Sequence, residues 1–153
     1  MKTRYAASLF FLIVFLSCGK DKFQTIPHLK YKSKNTDVVP LNGNLRVTLI
    51  YTDKEGDVSD SLIIVRNRLN TRSQVILPPS PYKIPSFPDA TKGEFEVNFR
   101  YNFDLIVGLP PIRITGSNPI QYEPDTMTLK FVARDKAGNK SDTASTVVIV
   151  NRQ

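Results

Sequence analysis

The sequence predicts an all-β fold, a two-sheet antiparallel β-sandwich of about seven strands. Three observations lead there. From residue 40 onward the apolar residues recur at every second position, the period of a strand with one face in a core. Clusters of Gly, Asn, Asp and Ser separate these runs, as turns do between the strands of a sandwich. Eleven prolines are spread through the chain, and no window carries a helical period.

The elements follow in chain order. Lys2 and Arg4 form a basic start, and Ala6 to Leu16 is an apolar run broken only by Ser8. That run has the length of a signal-peptide core and is too short for a membrane-spanning helix, which needs about 20 apolar residues. Strands are then expected at 28–34, 45–52, 60–68, 72–77, 94–102, 126–134 and 144–151. In the first, Lys30, Lys32 and Lys34 alternate and are expected on one solvated face. Leu45, Val47, Leu49 and Tyr51 point one way in the second. Phe95, Val97, Phe99, Tyr101 and Phe103 do so in the fifth, and Met127, Leu129, Phe131 and Ala133 in the sixth. Leu62–Val65 and Val147–Val150 are apolar on both faces, so these strands are expected to be covered on both sides or paired centrally.

Two stretches do not read as strands. Residues 77–88 carry five prolines, and residues 108–124 carry Pro110, Pro111, Pro119 and Pro124. Either both are crossovers between sheets, or they meet at one end of the sandwich and present Tyr82, Phe87 and Tyr122 as a contact surface.

Two octets share a pattern. D-K-E-G-D-V-S-D covers residues 53–60 and D-K-A-G-N-K-S-D covers residues 135–142. Both keep Asp, Lys, Gly, an Asp or Asn, and Ser-Asp. These are turn formers, so each octet is expected to be the tip of a β-hairpin. The first octet is also the one candidate calcium site, through Asp53, Glu55, Asp57 and Asp60, because calcium takes oxygen ligands. It does not fit an EF-hand: Val58 stands where that loop needs Gly. No other cofactor is implied.

The start of the chain resembles a bacterial lipoprotein signal. The resemblance rests on the basic start, the apolar run and Phe15-Leu16-Ser17-Cys18, with Ser17 as the small residue before the only cysteine. It implies cleavage before Cys18, a diacylglycerol on its sulfur and an acylated amine, and hence palmitate-type anchoring; the outer membrane is expected because Gly19-Lys20-Asp21-Lys22 resembles a short charged tether and no Asp directly follows Cys18. Two or more acyl chains anchor stably where one does not. An ordinary secretory signal is the alternative. On this reading residues 1–17 are the signal, residues 18–25 the acylated cysteine and tether, and residues 26–153 the sandwich domain. Which face of the membrane the domain occupies stays open.

The tail L-K-F-V-A-R-D-K-A-G-N-K-S-D-T-A-S-T-V-V-I-V resembles the closing hairpin of bacterial immunoglobulin-like and fibronectin-like extracellular domains. That resemblance implies an immunoglobulin-like sandwich.

For function, the formal net charge of +7 falls to +5 when Lys2 and Arg4 are removed with the signal, and the basic residues are scattered. No nucleic-acid motif is present, so no nucleic-acid partner is expected. His28 is the only histidine, and no nucleophile elbow, zinc-protease motif or phosphate-binding glycine loop occurs. The chain is therefore expected not to be an enzyme; a small hydrolase is the remotest alternative. There is no tryptophan for a flat sugar platform, and Tyr51 and Tyr101 fall on core faces. The expected function is a non-catalytic, lipid-anchored envelope protein that binds a protein partner or sits in an envelope complex. A glycan-binding accessory lipoprotein is the alternative.

Overall fold

The protein is described by a computed structural model covering residues 26–153. The expected signal, Cys18 and the tether lie outside the described residues. Among the described residues nine strands form two sheets: β1 (His28–Lys34), β2 (Val38–Val39), β3 (Asn44–Thr52), β4 (Ser61–Arg68), β5 (Val75–Ile76), β6 (Ser80–Lys83), β7 (Lys92–Arg100), β8 (Asp125–Arg134) and β9 (Ala144–Val150). One sheet has the order β1-β3-β7; the other has the order β2-β9-β8-β4-β5, with β6 also paired to β4. All pairings are antiparallel except β2 with β9, which is parallel. The fold is a two-sheet, largely antiparallel β-sandwich, as the period of two requires.

The core lies between the sheets. Leu45, Val47, Leu49, Met127, Leu129, Phe131 and Ala133 are fully buried, and Phe99 and Phe131 meet edge to face with centroids 6.2 Å apart. β4 and β9 are interior strands of their sheet. The outer face of β9 is not covered, since Val147 and Ile149 are exposed beside Val38. No helix among the described residues is long and apolar enough to cross a membrane.

Local structure departs from the sequence expectation at four places. A β-bulge in β1 between Tyr31 and Ser33 shifts the phase, so Lys34 falls opposite core-facing Val47. Lys30 and Lys32 are solvated, but Lys34 turns inward and donates to Thr146 Oγ1 at 3.4 Å and to the Val147 carbonyl. The alternation of β7 continues in sequence through Phe103, yet the chain enters a π-helical turn at Tyr101–Leu105. Tyr101 donates its hydroxyl to Asn151 O at 2.6 Å, and Phe103 is left 68% exposed beneath the Arg100 guanidinium. The proline-rich stretch contains β6, which Pro81 can join because it stands at a sheet edge.

The two octets also differ. Residues 135–142 join β8 to its antiparallel neighbour β9 and form a hairpin tip. Residues 53–60 instead carry the chain from β3 in one sheet to β4 in the other, so this octet is an inter-sheet arch rather than a hairpin tip. β3 is already flanked by β1 and β7, which leaves no edge for a hairpin partner.

Candidate functional site

β7 ends the three-stranded sheet, and its side facing away from β3 has no partner strand among the described residues. Its sequence K-G-E-F-E-V-N-F-R alternates: Phe95, Val97 and Phe99 turn inward, while Lys92, Glu94, Glu96, Asn98 and Arg100 are exposed. Phe99 is fully covered, but Phe95 and Val97 are only partly buried. The reason lies across the gap. The opposing edge is made by β6, four residues long and interrupted by Pro81, followed by the stiff segment Ile84-Pro85-Ser86-Phe87-Pro88. Between them is an open cleft of about 680 Å³, lined by all of residues 92–99 and on the other wall by Tyr82, Ile84 and Phe87.

The floor of the cleft is aromatic. Tyr51 stacks on Phe95 with centroids 4.7 Å apart, and Phe87 tilts over Tyr51 at 5.9 Å and meets Phe95 edge-on at 6.3 Å. This packing depends on Gly93: a Cβ there would stand 2.5 Å from the Tyr51 hydroxyl. Burial, and then the nearby charge of Asp53, pushes the Tyr51 phenol above its ordinary value, so it stays protonated at neutral pH. Both ends of the cleft are tied. Ala90 N donates to Gly56 O at 3.0 Å at one end, and Arg66 donates to the carbonyls of Leu105 and Val107 at 3.0 and 3.2 Å at the other. The middle is left open. It offers apolar side-chain pockets beside a row of backbone donors and acceptors, which is what an added strand requires.

The expected site residues are distributed as follows. Tyr82 and Phe87 line the cleft. Tyr122 does not join them. It lies in an isolated bridge with Arg113, donates its backbone N–H to Gln153 Oε1 at 3.0 Å, and precedes the Asp125 end of β8, whereas Tyr82 pairs with Leu62 near the Arg134 end. Of the two loop readings, the second half of 77–88 and the whole of 108–124 act as crossovers between sheets.

In the first octet Asp53 is 4% exposed, Asp57 is half-buried, and Glu55 and Asp60 are solvated. Asp60 accepts from Ser61 Oγ at 3.0 Å and lies 3.9 Å from Arg134 Nε. Desolvation, then the adjoining Asp53 carboxyl and the charges of Asp135 and Glu55, raises the Asp57 carboxyl above its ordinary value. Among the described residues no group of three or more His, Cys, Asp or Glu side chains is arranged to hold a metal ion by itself. His28 stands 3.6 Å from Asp142 at the other edge of the sandwich.

Phe95, Val97 and Gly93 are the cleft residues that sequence reading missed. A strand with period two reads as uniformly packed. The signal that its cover is incomplete is the proline-rich neighbour, which is too short in paired length to shield nine residues.

No family model matches this chain, and no curated protein matches it. Several solved structures align with it at low similarity. An alkylpurine DNA glycosylase AlkC from Pseudomonas fluorescens aligns at 8% identity over 82% of this chain and 30% of the glycosylase, with a TM-score of 0.45. A Niemann-Pick type C2 protein from Japanese carpenter ant aligns at 12% identity over 88% of this chain and 96% of that protein, with a TM-score of 0.43. Spo0M, a sporulation control protein from Bacillus subtilis, aligns at 10% identity over 84% of this chain and 50% of Spo0M, with a TM-score of 0.42. This chain thus spans less than a third of the glycosylase. Likenesses this distant carry no argument about function.

Proposed function

We propose that this chain is a non-catalytic envelope lipoprotein, anchored in the outer membrane through acylated Cys18, whose immunoglobulin-like sandwich binds an extended segment of a protein partner along β7. The immunoglobulin-like assignment is supported by strand order. β1, β3 and β7 oppose a sheet containing β4, β8 and β9, an arrangement compatible with the A-B-E strands of one sheet and the C-F-G strands of the other in that class.

The observation that carries the binding reading is the coincidence of a nine-residue edge strand with an apolar cleft lined by its residues 92–99. An extended peptide pairing with β7 satisfies the edge backbone groups and turns alternate side chains into the cleft. The occupant is a heteropartner rather than a second copy of β7. Lys92, Glu94, Glu96 and Arg100 on the solvent face, like the charges of other guarded edges, oppose indiscriminate edge-to-edge pairing. The aromatic faces in the cleft are occupied by one another, which favours a peptide over a sugar that needs a free ring face.

Two experiments test the parts separately. Palmitate labels the wild-type chain and not Cys18→Ala; equal labelling removes the anchor. Crosslinking on intact cells, followed by isolation of the full chain, yields a partner with the wild type that is absent with Val97→Lys. The new Lys can reach solvent along the strand and leave the fold intact. A partner retained by Val97→Lys, or a glycan-array signal with no protein partner, overturns the β7 reading.

A further inference from the structure

The two octets, separate in sequence, pack side by side. Lys136 N donates to Asp57 O at 3.3 Å, and Asp60 N donates to Arg134 O at 3.3 Å. They also make the same local bond. In the second, Asn139 N donates to Asp135 Oδ1 at 2.7 Å; in the first, Asp57 N donates to Asp53 Oδ2 at 3.1 Å. Gly138 and Gly56, one residue before the donor in each copy, take positive φ of 90° and 73°. The backbones of the two motifs are therefore equivalent where the side chains meet.

The side chains are not. In the second copy the Asn139 amide donates Nδ2–H to Asp135 Oδ2 at 2.8 Å, so both carboxylate oxygens of Asp135 have donors. In the first copy the amide is replaced by the carboxylate of Asp57, which has no proton to give when ionised. Asp53, 4% exposed, keeps an Oδ1 with no hydrogen-bond partner, and so does the buried Oδ1 of Asp57 beside it. Buried acceptors without donors are costly, and two of like charge are costlier still. Asp135, 1% exposed, adds its charge from the neighbouring turn. The nearby cations Lys136 and Arg134 are directed to Asp89 at 3.0 Å and toward Asp60 at 3.9 Å.

We propose that the arch of residues 53–57 is a site for a divalent cation of the calcium type, held by Asp53 Oδ1 and Asp57 Oδ1, with Asp135 contributing charge from the adjacent hairpin. Because no three His, Cys, Asp or Glu side chains among the described residues close around a metal by themselves, the rest of the shell comes from backbone carbonyls and water. Calcium, with six to eight oxygen ligands and loose geometry, accepts such a shell, and magnesium, which demands a tight octahedron, does not. Two carboxylates and much water place the affinity with the weak extracellular class, about 0.1–1 mM. The ligands differ from the linear set that the octet suggests: Glu55 and Asp60 are outside, and a residue of the other octet is beside the site. The inference is independent of the β7 reading.

The test is the melting temperature of the full chain in EDTA and with calcium chloride at about ten times the dissociation constant. The wild type is expected to rise by roughly 3–6 °C with calcium and less with magnesium. Asp57→Asn gives the first copy the amide of the second. It is expected to melt no lower than wild type in EDTA and to lose the calcium response. Glu55→Gln, in the same loop, keeps the response. No calcium shift in the wild type overturns the site. So does a full shift in Asp57→Asn, or a loss in Glu55→Gln as complete as in Asp57→Asn. If Asp57→Asn fails to fold, Asp53→Asn read by calorimetric calcium titration decides in the same sense.

Discussion

The two open sides of this sandwich are treated differently. On one side β1 faces β9 and is stitched to it. Leu29 N donates to Asp142 Oδ1 at 2.6 Å, Lys34 reaches the Val147 carbonyl, and β2 runs along the outer edge of β9 so that Ile149 N and Asn151 N find acceptors at Asp37 and Val39. The bulge in β1 turns Lys34 toward this seam. On the other side β7 faces β6 across a cleft, with ties only at its two ends. A chain that seals one edge and leaves residues 92–99 of the other beside an apolar hollow has placed its free backbone groups where a partner can use them.

The same truncation applied to both edges sharpens this contrast most. Leu29→Ala on the sealed side empties a fully buried position and is expected to cost about 2–5 kcal/mol in urea unfolding. Phe95→Ala on the open side removes a larger but only partly buried ring. It is expected to cost clearly less than the about 3–5 kcal/mol of a core Phe, while abolishing partner capture. Equal costs at both positions would mean that the cleft is core and not a site.

A smaller effect is expected at the seam itself. Lys34→Met keeps the apolar stem and removes the ammonium donor, for a loss of about 1 kcal/mol. Hydrogen exchange should then rise at the amides of β1 and β9 and stay unchanged in β7. The smallest effect concerns the end of β7, where Asp104 accepts from Arg100 N and Nε, both at 2.8 Å. The hydrogen bond from the Arg100 side chain holds the Asp104 carboxyl below its ordinary value, against some desolvation. A carboxyl lowered on folding adds stability above its ordinary pKa, and that stability is lost as the pH falls from about 4 through the lowered value. Asp104→Asn should flatten that acid arm of the melting profile and leave the neutral region nearly unchanged.

Much of the fold was legible in the sequence because it depends on local alternation. β1, β3, β4, β8 and β9 fall where the period of two and the turn residues place them, within a residue or two. What was not legible depends on partners distant in sequence. The bulge that turns Lys34 inward exists only relative to β3. β6 is hidden by prolines that matter little at an edge. The turn at Tyr101 breaks an alternation that the sequence continues, because its hydroxyl finds Asn151 fifty residues away. The octets were legible as turns but not as neighbours; the exchange of Asn139 for Asp57 that separates the satisfied Asp135 from the unsatisfied Asp53 stands in the sequence, whereas the burial that makes it costly does not. The cleft was invisible for a similar reason: Phe95 and Val97 look like core until the shortness of the opposing strand is known.

The most direct measurement of the binding claim is site-specific photocrosslinking of the full-length protein in native membranes. A benzophenone side chain replaces Glu96, which lines the open edge, or Lys130 on the exposed face of β8. A discrete adduct is expected from position 96 that disappears when Val97→Lys is added, and none from position 130. Equal adducts from both positions, or an adduct at 96 that survives Val97→Lys, would contradict the binding claim.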